Sequence, residues 1–332
     1  MEKTDIAISV NMITYNHVKY IRQAIESILN QKTNFKFELL IHDDASTDGT
    51  IDIIKEYADK YPDIVRPYYE EKNQYSQGNR RISYTFNNPR ARGKYIASCE
   101  GDDFWIDENK LQYQYDFLES HPEYIAHYHA AKIVNNDGKF TGYFLGQVGI
   151  TEIMTFDQSL LNFYPTASKM YRKNAFDEVP DFYFIGDAGD FPTQILLLMN
   201  GNAFYEGKTM SAYRTGVPGS SNDRFNRWSL ERRLKHFDER VEILNQVDQL
   251  TNYQHTEAIE KYIAIILNNK VQMYDLLSDK VKEYRILRKT AGFKKLCFLK
   301  RVKLFLSDFA PFYSVMVESK NAIVGSIRTR KY

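Results

Sequence analysis

Residues 6–14 read Ile-Ala-Ile-Ser-Val-Asn-Met-Ile-Thr, and residues 37–44 read Phe-Glu-Leu-Leu-Ile-His-Asp-Asp. Each is a short apolar run that stops abruptly in polar side chains, the pattern of a strand buried on both faces. Between them Ile21, Ala24, Ile25, Ile28 and Leu29 recur at helical spacing. After the second run, Ala45-Ser46-Thr47-Asp48-Gly49-Thr50 is a turn rich in capping residues. A helix follows over residues 51–61 and Pro62 stops it, before a third strand over 64–69. Strand, helix, strand, helix, strand in this order predicts a parallel sheet with crossover helices, an α/β fold.

Further along, residues 73–92 are polar and irregular, and residues 94–98 form a short strand running into Cys99-Glu100-Gly101-Asp102-Asp103-Phe104-Trp105. A helix is expected over 110–120, strands over 125–134 and 166–171, and helical character over 192–199. From Leu230 long helical stretches rich in Lys, Arg, Glu and Leu dominate, which places a soft boundary between Gly219 and Leu230.

The chain has 332 residues, 43% hydrophobic and 26% charged, enough for one large domain and a smaller one. A net charge of +1 gives no general reason to expect a nucleic-acid partner. Two distant cysteines, Cys99 and Cys297, make a disulfide framework or a cysteine-based zinc site a poor fit. The first residues lack the basic and apolar regions of a signal peptide, and no run approaches the ~20 apolar residues of a membrane span. A cytoplasmic protein, or one resting on the inner face of the cell membrane, is expected.

The informative feature is where the acids fall. Asp43-Asp44 and Asp102-Asp103 each follow the carboxyl end of a strand, where open α/β sheets bind ligands. Two acidic pairs there repel each other unless a cation or a donor-rich ligand joins them. Carboxylate and phosphate oxygens suit Mg²⁺ or Mn²⁺, so a nucleotide diphosphate bridged by one divalent cation fits. Asp43, Asp44 and Asp48 also suit turn and cap positions before a helix, and for Asp48 that is the better reading.

Four segments in order resemble family 2 glycosyltransferases: Ile8 to Asn16, a hydrophobic strand ending Thr-Tyr-Asn; Ile25 to Gln31; His42 to Thr50, with Ala45 where the family has glycine; and Arg92 to Ile96 followed by Glu100-Gly101-Asp102-Asp103. The resemblance is strongest over the first ~105 residues and looser to about Ser221. It implies a GT-A nucleotide-binding fold over residues 1–225, with a mostly parallel sheet and flanking helices, and a helical C-terminal region over 226–332. It further implies an inverting hexosyl- or N-acetylhexosaminyl-transferase. The donor would be a nucleotide sugar, UDP-linked if Asp44 receives a uracil hydrogen bond, and the acceptor a glycan or lipid-linked hydroxyl in surface-polysaccharide (capsule) synthesis.

By the same resemblance Thr14, Tyr15, Asn16, Asp43, Asp44, Arg92 and Asp102 line the nucleotide, and Asp103, with Asp102, binds Mn²⁺ or Mg²⁺. The general base is sought in Ile185-Gly186-Asp187-Ala188-Gly189-Asp190-Phe191-Pro192. Asp190 is favoured because an aromatic residue, a proline and an apolar helix follow it; Asp187 is the alternative. Pro165-Thr166-Ala167-Ser168 resembles the acceptor-side strand, and Tyr213-Arg214 opens the loop that covers the diphosphate, with Arg214 a phosphate partner. Many relatives carry a metal-ligating histidine in that loop, and this chain has none there. Arg80 and Arg81 are further phosphate candidates.

Between Lys280 and Lys303, basic residues interleave with Phe293, Leu296, Phe298, Leu299 and Val302, and Leu304, Phe305 and Leu306 follow. Such a segment either lies on an anionic membrane surface or packs its apolar side on the protein, and the C-terminal region also offers an oligomer contact. The competing function is a catalytically inactive sugar-nucleotide binder or scaffold. A dehydrogenase lacks support because no GxGxxG follows the first strand.

Overall fold

A computed structural model describes residues 5–275 apart from positions 161 and 163; the basic stretch 280–303 and Cys297 lie outside them. The chain runs β1 (Ile6–Thr14), α1 (Ile21–Leu29), β2 (Lys36–Asp43), α2 (Thr50–Lys60), β3 (Val65–Tyr69), β4 (Tyr95–Ser98) and β5 (Phe104–Trp105). It continues with α3 (Lys110–Ser120), β6 (Tyr124–Val134), β7 (Phe140–Leu145), β8 (Glu152–Met154), α4 (Phe156–Ser159), β9 (Met170–Arg172) and α5 (Asp190–Met199). Then come β10 (Asn202–Arg214), α6 (Ser221–Arg227), α7 (Leu230–Leu250) and α8 (Thr256–Asp275).

The strands form one mixed sheet in the order β3-β2-β1-β4-β9-β6-β10-β5, with β7 paired to β6 and β8 to β10. The first four are parallel, as expected. β9 then runs antiparallel between β4 and β6, and β10 lies parallel to β6. Strand alternation sorts the apolar residues into two layers. Ile8, Val10, Met12, Leu39 and Ile41 meet Ile25 and Ile28 of α1, Ile54 of α2 and Leu111 of α3. Leu40 and Ile96 face the other way, toward Leu197 of α5, Leu244 of α7 and Ile263 of α8. The helices after Leu230 therefore share one apolar cluster with the sheet. No helix among the described residues is long and apolar enough to cross a membrane.

Besides the short strands β5, β7 and β8, two departures from expectation bear on the site. The strand expected over 166–171 starts as a 3₁₀ turn, Thr166–Ser168, because the Ser168 hydroxyl donates back to the Pro165 carbonyl at 2.7 Å; only Met170–Arg172 pairs as β9. The long strand β10 was not anticipated. Its alternation is interrupted around Glu206-Gly207-Lys208, where the pairing with β6 shifts register.

Candidate active site

β1, β2 and β4 are parallel neighbours, so their carboxyl ends open side by side. The loops beyond β1 and β2 are tied together. The Asn16 N–H donates to Ser46 Oγ at 2.8 Å, and Asn16 Oδ1 accepts the Thr47 N–H at 2.8 Å. Asn16 adopts a left-handed φ of 56° to do so. Asp43 is fully buried and accepts the Ser46 N–H at 2.8 Å and the Ser46 hydroxyl at 2.6 Å, so it closes the turn. Asp48 accepts the Thr50 N–H at 3.0 Å and the Val18 N–H at 3.0 Å, a turn role just ahead of the α2 cap position at Gly49. Asp44 accepts the Gln74 N–H at 2.6 Å and the Tyr75 N–H at 3.1 Å. Burial pushes its carboxyl up, but the nearby His42 ring and these two donors outweigh it and hold it low. Asp44 is only 3% exposed, so a contact with a nucleobase requires the 73–75 loop to yield. Tyr15, beside it, stands open at 43% exposure.

The acidic loop after β4 presses on β1. A Cβ at Gly101 would fall 2.7 Å from Thr14 Oγ1 and 2.9 Å from His17 Nδ1, so glycine is required for this approach. Asp102 lies 3.9 Å from His17 Nε2. Asp103 Oδ1 accepts the Arg214 N–H at 2.7 Å, while its Oδ2 is buried with no partner. Thr14 Oγ1 and His17 Nδ1 are likewise buried and unpartnered. Burial, then Asp102 and Glu100, push the Asp103 carboxyl well up. Burial, then Asp190 and Asp102, push Glu100 up. An unpartnered carboxylate oxygen beside a second carboxylate suits a hard divalent cation. Among the described residues no three His, Cys, Asp or Glu side chains form a ready cage, so such a cation would draw its remaining ligands from phosphate and water, the habit of Mg²⁺.

Asp187 and Asp190 differ sharply. Asp187 Oδ1 accepts from Arg80 Nε at 2.9 Å, and its Oδ2 accepts from Arg232 Nε at 3.0 Å and from a second Arg232 nitrogen. Burial raises its carboxyl, and the two guanidinium groups more than reverse that. Asp190 begins α5, with its side chain 46% exposed. Its Oδ1 accepts from Thr166 Oγ1 at 2.9 Å and lies 3.6 Å from Lys169 Nζ. The hydroxyl of half-buried Tyr213 is raised first by burial and then by Asp103, Glu100, Asp102 and Asp190, so all four acids lie within electrostatic reach of it.

Three expected phosphate partners are placed otherwise. Arg92 donates to Glu38 Oε2 at 2.8 Å, at the amino ends of the strands. Glu38 is six residues before Asp44 along β2, roughly 20 Å away, so Arg92 lies at the far end of the strands from the Asp43-Asp44 and Asp102-Asp103 pairs. Arg214 is 5% exposed, and its guanidinium donates to the Asp102 carbonyl at 2.8 Å, the Asn136 carbonyl at 3.0 Å and Gln23 Oε1 at 2.7 Å. It supports the acidic loop from behind rather than facing a phosphate. Arg81 is buried against the carbonyls of Tyr183, Ile185 and Gly186. The sequence reading placed Glu100 in the acidic motif without giving it a role, and did not single out Lys169 or Arg232. For Lys169 a signal existed: a lysine among buried Ala167, Ser168 and Met170 demands a charge partner.

A sheet with carboxylates at the ends of its parallel strands, followed by an acid at a helix start, defines the class: the GT-A fold of glycosyltransferases. TarS of S. aureus, solved with UDP-GlcNAc, superposes with a TM-score of 0.61 at 19% identity, over 87% of this chain and 78% of that one. The mannosyltransferase PcManGT of Pyrobaculum calidifontis, solved with GDP-Man and Mn²⁺, gives 0.51 at 14% identity, over 94% and 87%. The family model for glycosyl transferase family 2 matches residues 9–180, and the chain belongs to that family. An uncharacterized protein of Mycobacterium tuberculosis is 36% identical over 173 residues, 52% of this chain and 49% of its own length. TuaG of Bacillus subtilis, provisionally named a teichuronic acid biosynthesis glycosyltransferase, is 34% identical over 111 residues, 33% of this chain and 41% of its own. The chain thus spans about half the length, or less, of these two relatives.

Proposed function

We propose that this chain transfers a sugar, with inversion, from a UDP-sugar to a hydroxyl of a glycan or lipid-linked acceptor in surface-polysaccharide synthesis. The observation that carries the reading is the unpartnered Oδ2 of Asp103 beside Asp102, with Asp190 within electrostatic reach of the same Tyr213 hydroxyl. In this reading Thr14, Tyr15 and Asn16 shape the base pocket, with Tyr15 against the base and Asp44 reached as the 73–75 loop yields. Asp43 braces the turn beneath them. Asp102 and Asp103 would hold Mn²⁺ or Mg²⁺, which when bound supplies Lewis-acid neutralisation of the departing diphosphate.

Asp190 takes the proton of the acceptor hydroxyl as the new C–O bond forms and the bond to the diphosphate breaks. Asp187 is saturated by two arginines, which leaves Asp190 as the better base. Burial and its acidic neighbours favour the protonated form of Glu100, a poor nucleophile. One in-line displacement with inversion follows. The hexosyl or N-acetylhexosaminyl class of the donor follows the family resemblance. The name of TuaG supports the surface-polysaccharide setting, the UDP-GlcNAc bound to TarS supports a UDP-sugar donor, and the Mn²⁺ bound to PcManGT supports the cation. We take residues 1–225 as the transferase domain and 226–332 as the part that meets an inner-membrane surface or a second subunit, on the sequence pattern alone.

Calorimetry of UDP binding with and without Mn²⁺ tests this. Wild type should bind with metal dependence, and Asp103→Asn should weaken binding at least tenfold. No UDP binding by wild type in either condition would overturn the UDP-sugar assignment.

A further inference from the structure

The transferase reading names Asp190 as the base but leaves two questions: which of its oxygens takes the proton, and what holds it. Among the described residues, its carboxylate's one hydrogen bond and one ion pair both fall on one oxygen. Thr166 Oγ1 donates to Oδ1 at 2.9 Å, and Lys169 Nζ lies 3.6 Å from the same Oδ1. Among the described residues no hydrogen-bond donor reaches Oδ2, and the side chain is 46% exposed.

The two holders come from one rigid segment. Lys169 N–H donates to the Thr166 carbonyl at 3.3 Å, and the Lys169 carbonyl accepts the Ser98 N–H at 3.2 Å, at the end of β4 where the acidic loop starts. Gln114 Nε2 fixes the same turn through the Ser168 carbonyl at 3.0 Å. The segment that orients the base is therefore bolted to the strand that presents Asp102 and Asp103.

Lys169 is also expensive where it sits. Its side chain is 11% exposed, and among the described residues its ammonium makes one ion pair, to Asp190, and no hydrogen bond. A buried ammonium with one ion pair and no hydrogen bond, and with Glu100 as its further acidic neighbour, costs stability relative to an apolar side chain of similar size. Its neighbours Ala167, Ser168 and Met170 are fully buried, so Met or Leu would fill the position at lower cost.

We propose that Thr166 and Lys169 are positioning residues that clamp Asp190 Oδ1, so that Oδ2 is the oxygen that receives the acceptor's proton. The inference rests on the transferase reading above. In the step itself, the acceptor O–H bond breaks toward Asp190 Oδ2, the acceptor oxygen bonds to the anomeric carbon, and the electron pair of the old bond leaves with the diphosphate. Lys169 touches no reacting atom; it limits rotation of the carboxylate about χ2, on which a near-attack geometry depends.

The test measures UDP release from a panel of UDP-hexoses and UDP-N-acetylhexosamines in Mn²⁺, with water as acceptor. Lys169→Met should lower kcat about tenfold with KM and calorimetric UDP affinity unchanged. Lys169→Arg should restore most of the rate, and Thr166→Val should lower kcat by a smaller factor. In an Asp190→Asn background, Lys169→Met should cause no further loss, because it acts through that carboxylate. An unchanged kcat in Lys169→Met, or an equal loss in the Asp190→Asn background, would overturn the clamp. Wild-type protein that neither binds UDP nor releases it would instead overturn the transferase reading, and the clamp with it.

Discussion

The two ends of the parallel strands treat charge in opposite ways. At the amino ends, Glu38 is fully buried yet completely answered. Ser9 Oγ donates to it at 2.7 Å, the Arg92 N–H at 2.8 Å, Arg66 at 2.7 Å and the Arg92 side chain at 2.8 Å. At the carboxyl ends Glu100, Asp102 and Asp103 crowd together, with Asp190 at the start of α5 close enough to act on the same Tyr213 hydroxyl, and Asp103 keeps a buried oxygen without a partner. Burial raises the carboxyl in both places. Hydrogen bonds from Arg92, Ser9 and Arg66 reverse it at Glu38, whereas neighbouring acids compound it at Asp103. One end answers its buried charge within the folded chain, and the other leaves neighbouring acids unanswered by any donor to Asp103 Oδ2.

The largest effect should come from breaking the satisfied end. Glu38→Gln removes the charge that two guanidinium groups share. Those groups are over a third exposed and can hydrate, so the cost should be roughly 2–3 kcal/mol, toward the lower end of the loss from opening a buried ion pair. UDP binding should be unaffected by a change ~20 Å away. The pH sign is fixed by the lowered carboxyl. Its contribution is complete above the unfolded value near 4.5 and lost as pH falls below it. Urea unfolding of both proteins at several pH values checks this, and equal stabilities at pH 7 would mean the network only breaks even.

The opposite sign is expected at the other end. Asp103→Asn keeps an acceptor for the Arg214 N–H and removes a buried charge, so metal-free protein should gain on the order of 1 kcal/mol. The native carboxyl is raised, so the native state holds its proton more tightly than the unfolded chain. Wild-type stability should therefore fall, relative to the variant, as pH rises above the unfolded value of 3.8. Melting curves in EDTA should show the gap widening in that direction, and Mn²⁺ with UDP should raise the wild-type midpoint alone. A variant less stable than wild type in EDTA would show that Asp103 is already compensated within the chain.

This contrast explains what was legible in the sequence. The carboxyl-end acids were readable because strand, turn and acid are contiguous, as in residues 37–44 and 94–103. Their partners in space were not. Arg92 is adjacent in sequence to the strand that leads to the acidic loop, yet parallel pairing puts it at that strand's far end, with Glu38. Asp187 and Asp190 are three residues apart and each precedes an apolar helix. Only the packing of α7, which brings Arg232 onto Asp187, and of the 165–169 turn, which brings Lys169 onto Asp190, tells them apart. β10 was missed because its register shift hides the two-residue period.

The smallest effect separates charge from backbone strain at the carboxyl end. Ala45, where the family has glycine, sits between Asp44 and Ser46 with φ 64°. An L-residue there bears about 1–2 kcal/mol of strain, and glycine would return part of that gain as unfolded-chain entropy, roughly 0.5–1 kcal/mol. Ala45→Gly should thus stabilise by about 0.5 kcal/mol, visible as a small rise in urea midpoint at constant m-value. It should leave the pH dependence unchanged, since no titrating group is touched. If it stabilises more than Asp103→Asn does in EDTA, then the turn geometry around Asp43 and Asp44, rather than unanswered charge, is the main cost of this end of the sheet. If it stabilises less, and only Asp103→Asn alters the pH slope, this end is destabilised chiefly by unanswered charge.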